Sequence, residues 1–275
     1  FKAIERVFGL LGLLLIVVGV AAWKMRPDEM QMAAGLAPSL PPMDRTLYAY
    51  FAVALLSSIM LPYETYFYAS GAIEDAWTPR HVRLNRLIVI VGFALGSLLG
   101  VALMVLGAEF VGPRSIEATL PGTVTLAVGS ELGRTGVIVV LAGMCFAFAG
   151  AAIETALCCA YNLSQFFGWP WGKHREPRQA PRFVLAWIVV FLLAAAIVLT
   201  GVDPIRVVEY SIVFSVVILP LTYFPLMAIS RDPAVMGAYA NGPVANTLGW
   251  AYFVLICLAA VTAIPLLVMT HGGQG

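Results

Sequence analysis

The sequence predicts an all-α protein whose helices cross a membrane about seven times. Three observations carry that prediction. Of 275 residues, 61% are hydrophobic and only 11% are charged, whereas a soluble domain carries about 25% charged residues. The mean hydropathy is +0.91, which places the chain among membrane proteins. Apolar runs approaching the ~20 residues that a span needs recur along the whole chain. The net charge of +1 gives no reason to expect nucleic acid or another polyelectrolyte as a partner; the lipid bilayer is the expected surrounding. The chain opens on Phe1, with no signal peptide ahead of the first run. Residues 1–275 are therefore expected to form a single, partial transmembrane domain, with an N-terminal portion of the natural protein lying outside it.

The runs fall at 5–23, 48–73, 86–107, 135–161, 183–200, 205–229 and 247–269. The first, "FGLLGLLLIVVGVAAW", is an uninterrupted span. The second contains Pro62 and Glu64. The fourth carries Glu154 and the small residues Gly143, Ala147, Gly150 and Ala151, which permit close helix packing in lipid. The sixth holds Glu209, Pro220 and Pro225. Glu209 lies close enough to a helix end to reach water, and the two prolines suit either a gate or plain kinks.

The connecting segments orient the spans. With seven alternating spans, one side receives Lys2, Arg6, Arg80, Arg83, Arg86, Lys173, Arg175, Arg178, Arg182 and Arg231. The other receives Lys24, Arg26, Arg45, Arg114, Arg134 and Arg206. Ten basic residues against six make the first side cytoplasmic. The 108–133 loop, with Glu109, Glu117 and Glu131, is then external. The aromatic cluster "FFGWPWGK" suits a membrane interface better than a stacking platform.

Enzyme chemistry finds little footing. His81, His174 and His271 all fall outside the runs, no HExxH or Cys-His pattern occurs, and no glycine-rich phosphate loop follows a strand. Cys145, Cys158, Cys159 and Cys257 lie inside apolar runs, as small buried hydrophobes or, alternatively, as a soft metal ligand.

The second run is different. In "SSIMLPYETYFYASGAIEDAW", Ser57–Trp77, Pro62 withholds an N–H from the carbonyl four residues back, and in lipid that carbonyl must find another partner. A healed proline kink would answer this need. Glu64 argues for more, because a carboxylate near the bilayer midplane costs at least ~2.5 kcal/mol. A break and an acid in the same turn form the pattern of a discontinuous helix, whose unwound carbonyls and half-helix C-terminus offer oxygen to a cation. The residues themselves thus point to a cation site around Ser58–Glu64.

"SSIMLPYETYFYASG" resembles the broken sixth helix of the NRAMP divalent-metal transporters. "FPLMAISRDPAVMGAYANGPVANTLGW" is similar to that family's tenth helix, short loop and eleventh helix. "LCCAYNLSQFFG" is similar to the end of its eighth helix, and "FKAIERVFGLLGLLLIVVGV" to its fifth. The resemblance covers nearly the whole chain in order. It implies part of a leucine-transporter-like fold of two inverted five-helix repeats, with this chain holding the fifth to eleventh helices. It implies metal held between the broken first and sixth helices, the first of which, with its aspartate and asparagine, is outside this chain. It also places the loop at 74–86 in the cytoplasm, in line with the charge distribution.

The departures from the family pattern concern the ion. Leu61 stands where metal-selective members have methionine, with Met60 one residue earlier. Tyr63 and Tyr68 stand where histidines are usual. Loss of the thioether removes the soft ligand that favours manganese, iron or cadmium, while Glu64 adds a hard oxygen suited to magnesium. The pattern is closer to NRAMP-related magnesium transporters and other divergent members. Ser58 and Leu61 are carried over from the family; Glu64 is read from this sequence alone.

The expected function is secondary transport of divalent cations by alternating access, across a bacterial cytoplasmic membrane. Ser58, Leu61, Pro62, Tyr63 and Glu64 would line the substrate, with Ser58 and Glu64 on the metal. Glu154, deep in the fourth run beside Thr155, would pair with an arginine outside this chain or relay protons; Tyr68 is the other candidate for coupling. No cofactor is expected beyond the ion as substrate. Two rivals stand beside this reading: an amino-acid or organic-cation carrier with Tyr63 and Tyr66 lining a larger pocket, and a non-transporting membrane subunit.

Overall fold

Residues 2–35, 37, 44–59, 61–116 and 121–273 are described by a computed structural model; Met60 and Glu117 lie outside them. Helix α1 (Lys2–Gly12) passes through a 3-10 turn into α2 (Ile16–Lys24), followed by the short α3 (Glu29–Gly35). Then come α4 (Arg45–Ile59), α5 (Pro62–Glu74), α6 (Val82–Leu106) and α7 (Thr123–Phe166). The chain continues with α8 (Pro181–Leu199), α9 (Pro204–Ser230), the short α10 (Pro233–Met236) and α11 (Pro243–Met269). Proline opens α5, α8, α9, α10 and α11. At the first helical position its missing N–H would have had no partner anyway, and its fixed φ is already helical.

Among the described residues, seven helical stretches are long and apolar enough to cross a membrane: Val7–Lys24, Arg45–Glu74, Pro79–Arg114, Thr123–Phe166, Pro181–Leu199, Arg206–Ser230 and Pro243–Met269. They match the seven sequence runs one for one. The protein is an all-α integral membrane protein. The expected loop at 108–133 is largely helical instead. A π-helical turn at Gly107–Val111 and a 3-10 turn at Gly112–Arg114 prolong α6. The helical path of α7 begins at Thr123 and breaks at Gly133, whose φ of 63° and ψ of −158° suit only glycine. Pro220 and Pro225 both lie inside a continuous α9.

The helices form two compact units, Phe1–Pro38 with Ser70–Leu192, and Ser39–Ala69 with Leu193–Gly275. In the first, α2 packs on α6 and α7. Its core joins Val18, Ala21 and Ala22 to Ala102, Leu106, Phe110, Ala127, Val128 and Val140. Four of these nine are alanine, small enough to allow the close backbone approach that packs helices in lipid. On α6, Leu87, Ile88, Ile90, Val91, Phe93 and Leu98 are exposed, a continuous apolar band of the kind that lies against lipid. In the second unit α9 and α11 pack together with α4 against both, around Tyr50, Val213, Val216, Ala259 and Ala263.

Gly143 marks a close approach of α7 to the first span. A Cβ there would lie 3.2 Å from Leu14 Cβ, Leu15 Cδ2 and the Leu15 backbone nitrogen. One of those atoms is main chain and yields poorly. Gly143→Val is expected to destabilise the protein by about 1–3 kcal/mol through overpacking. Gly150→Ala should be tolerated, because a Cβ at that position meets only Phe8, at 3.8 Å. Thermal unfolding of the two variants in detergent checks the contrast.

Candidate metal-binding turn

The second span is two helices. α4 ends at Ile59, α5 begins at Pro62, and Leu61 is non-helical. The interruption is narrower than the Ser58–Glu64 turn expected from sequence. Ser58 remains in the last turn of α4, where its hydroxyl donates to the Leu55 carbonyl at 2.8 Å. Pro62 starts α5 at once, and the Leu61 carbonyl accepts the Glu64 N–H at 3.2 Å. The side-chain oxygen of Ser58 is thereby committed to its own helix. What Ser58 can offer a cation is its carbonyl, which Pro62 has no N–H to engage.

The electrostatics of the two half-helices are opposed and useful. The last carbonyls of α4 have no intrahelical donors and carry the negative end of its dipole, which attracts a cation. Glu64 is the third residue of α5, at the positive end of that helix, where a carboxylate is stabilised by about 0.3–1 kcal/mol. The same placement offsets part of the cost of an acid in this span. Pro62 is buried, Leu61 and Tyr63 are half-buried, and Glu64 is exposed on its unit. Tyr68 lies farther along α5 and is 43% exposed.

Sequence reasoning missed what holds α4 in place. Ser57, fully buried, donates from Oγ to the Ile212 carbonyl of α9 at 2.7 Å. Its neighbour Ser58 bonds within its own helix instead, to Leu55. Glu154 sits on α7 in the first unit, exposed on that unit's surface, whereas Ser58, Leu61, Pro62, Tyr63, Glu64 and Tyr68 belong to the second. Among the described residues no group of three or more His, Cys, Asp or Glu side chains could hold a metal. The turn offers main-chain oxygens and one carboxylate. Cys158 is buried, as a small hydrophobe would be, while Cys145 is exposed.

Seven apolar spans among the described residues, with the second broken beside an acid, define a polytopic membrane protein of the discontinuous-helix kind. A family model described as "Natural resistance-associated macrophage protein-like" matches residues 1–265, and the chain belongs to this Nramp family. It is 24% identical to the divalent metal cation transporter MntH of Mycobacterium leprae over 265 residues, 93% of this chain and 59% of that protein. It is 26% identical to the MntH of Ralstonia nicotianae over 278 residues, 94% of this chain and 60% of the relative. To the MntH of Deinococcus radiodurans it is 25% identical over 260 residues, 89% of this chain and 56% of the relative. The chain thus spans less than two thirds of the length of these relatives.

Proposed function

We propose that the protein is a secondary transporter that carries divalent metal cations through the membrane by alternating access. The observation that carries this reading is the helix break at Leu61, flanked by the C-terminal carbonyls of α4 and by Glu64 in the first turn of α5. Family membership and the transporter relatives support it. Ser58 contributes its carbonyl and Glu64 its carboxylate to the ion. Leu61, Pro62 and Tyr63 shape the turn, with Leu61 presenting no donor where the family's soft ligand stands. Glu154, and along α5 Tyr68, serve coupling or proton movement. The cation is substrate, no further cofactor or enzymatic activity is involved, and the setting is a bacterial cytoplasmic membrane.

One carboxylate with carbonyls and no sulfur is a hard donor set, which favours magnesium over cadmium. The test is uptake into liposomes by the full-length protein, with competitors. Magnesium or manganese should enter above the liposome leak and be displaced by each other, with free amino acids without effect. Displacement by amino acids and no response to divalent ions would show an organic-solute carrier instead.

A further inference from the structure

We infer that Glu74 and Tyr161 form a clasp that positions α5 during transport, gripping the end of that half-helix remote from the metal turn. This rests on the transport reading above and adds residues that neither the break nor the family resemblance brings in.

Glu74 is the last residue of α5, where a carboxylate meets the negative end of the helix dipole. Its placement is offset by donors from elsewhere. The Tyr161 hydroxyl of α7 donates to Oε2. The backbone N–H of His174 donates to Oε1 at 3.3 Å, and that of Lys173 donates to the Tyr161 hydroxyl at 3.2 Å. Tyr161 is fully buried, edge-on to Trp171 and Phe183 with ring centroids 5.6 and 4.9 Å away. Its hydroxyl is therefore fixed in place by packing on both sides.

The contact repeats along one edge of α5. One turn earlier, the Ser70 hydroxyl accepts from Gln165 Nε2 at 2.7 Å, so residues four apart on α5 meet residues four apart on α7. Beyond the helix, Asp75 pairs with His174 at 3.3 Å. Gly172 has a φ of +136°, and a Cβ there would overlap the Glu74 carboxylate. Gly172 and His174, between α7 and α8, thus both lie against this acid.

A half-helix is a lever. With its backbone ladder cut at Leu61, α5 is steered by whatever holds its other end, twelve residues on. Apolar packing would hold that end without a preferred release. Hydrogen bonds to a carboxylate near the membrane surface can be exchanged for water, so they suit a grip that must open and re-form as access alternates. Trp171, in a cluster that reads from sequence as a membrane-interface belt, is turned inward onto Tyr161.

The experiment uses the full-length protein in liposomes with manganese as probe. Tyr161→Phe keeps the ring and removes the hydroxyl, and Glu74→Gln removes the charge. Each should change the maximal uptake rate by about tenfold, the scale of a hydrogen bond to a charged group, with KM and the calorimetric manganese affinity unchanged within about twofold. The Tyr161→Phe, Glu74→Gln double variant should be no worse than Tyr161→Phe alone, since both act on the same contact. Unchanged uptake rates would reduce the contacts to fold support, and lost manganese affinity would make them part of the site; either overturns the clasp. Hydrogen exchange decides separately from transport. Faster exchange along the whole of 62–74 in Tyr161→Phe supports the clasp, and faster exchange confined to 172–174 overturns it, even if the parent neither binds nor moves manganese, an outcome that would sink the transport reading alone.

Discussion

In the full-length protein, Glu64→Gln is expected to weaken binding of every divalent ion by at least about tenfold. The substitution keeps the shape and the oxygen but removes a full charge beside a dication. At an effective dielectric of about 20, a unit charge pair 4 Å apart is worth about 4 kcal/mol, and a dication doubles it. Desolvation of the carboxylate cancels much of that gain, yet a tenfold loss needs a net of only about 1.4 kcal/mol. The competing explanation for Glu64 is a helix-terminus acid with no ligand. That explanation predicts a small loss of stability, about 0.3–1 kcal/mol, and unchanged metal affinity. Isothermal calorimetry with magnesium and manganese, run beside thermal unfolding, separates the two, because the first quantity should move far more than the second.

Leu61→Met is the second large effect. Leucine has no lone pair, so an ion at the break keeps water on that side or leans on Glu64. A thioether there supplies a polarisable donor that a soft ion can use and a hard ion cannot. The cadmium-to-magnesium affinity ratio should rise about tenfold, or ~1.4 kcal/mol, with little change in magnesium affinity itself. Leu61 is half-buried and non-helical, and Leu and Met are close in volume, so the fold should accept the exchange at a cost under about 1.5 kcal/mol. An unchanged ratio would place the ion away from residue 61.

Much of the fold was legible because lipid imposes a simple condition: a span must be apolar, helical and about twenty residues long. All seven runs met it. The break was legible for a related reason, since Pro62 and Glu64 are each costly in a span and together mark a helix start. Its width was not. How many residues unwind depends on whether the residues around the break can satisfy themselves locally, as Ser58 does with Leu55 and Glu64 N–H with Leu61. The 108–133 segment was misjudged because polar residues there suggested a loop, while a π turn and the split at Gly133 let helices carry them.

The tertiary links were out of reach. Ser57 meets Ile212 across 155 positions, and Tyr161 meets Glu74 across 87. Nothing in the local pattern of a serine doublet, or of a tyrosine after two cysteines, names a partner that far along the chain. Glu154 shows the limit from the other side: its chemistry was visible in sequence, and α7 places it on the surface of the first unit, so its role turns on what faces it.

Anomalous diffraction from crystals of the full-length protein soaked in manganese reads the metal position itself. A cation site at the break predicts a manganese peak within coordination distance, about 2.0–2.6 Å, of the Ser58 carbonyl or a Glu64 carboxylate oxygen, and no such peak in Glu64→Gln. A peak bound elsewhere, with the Ser58–Glu64 segment unoccupied, would contradict it.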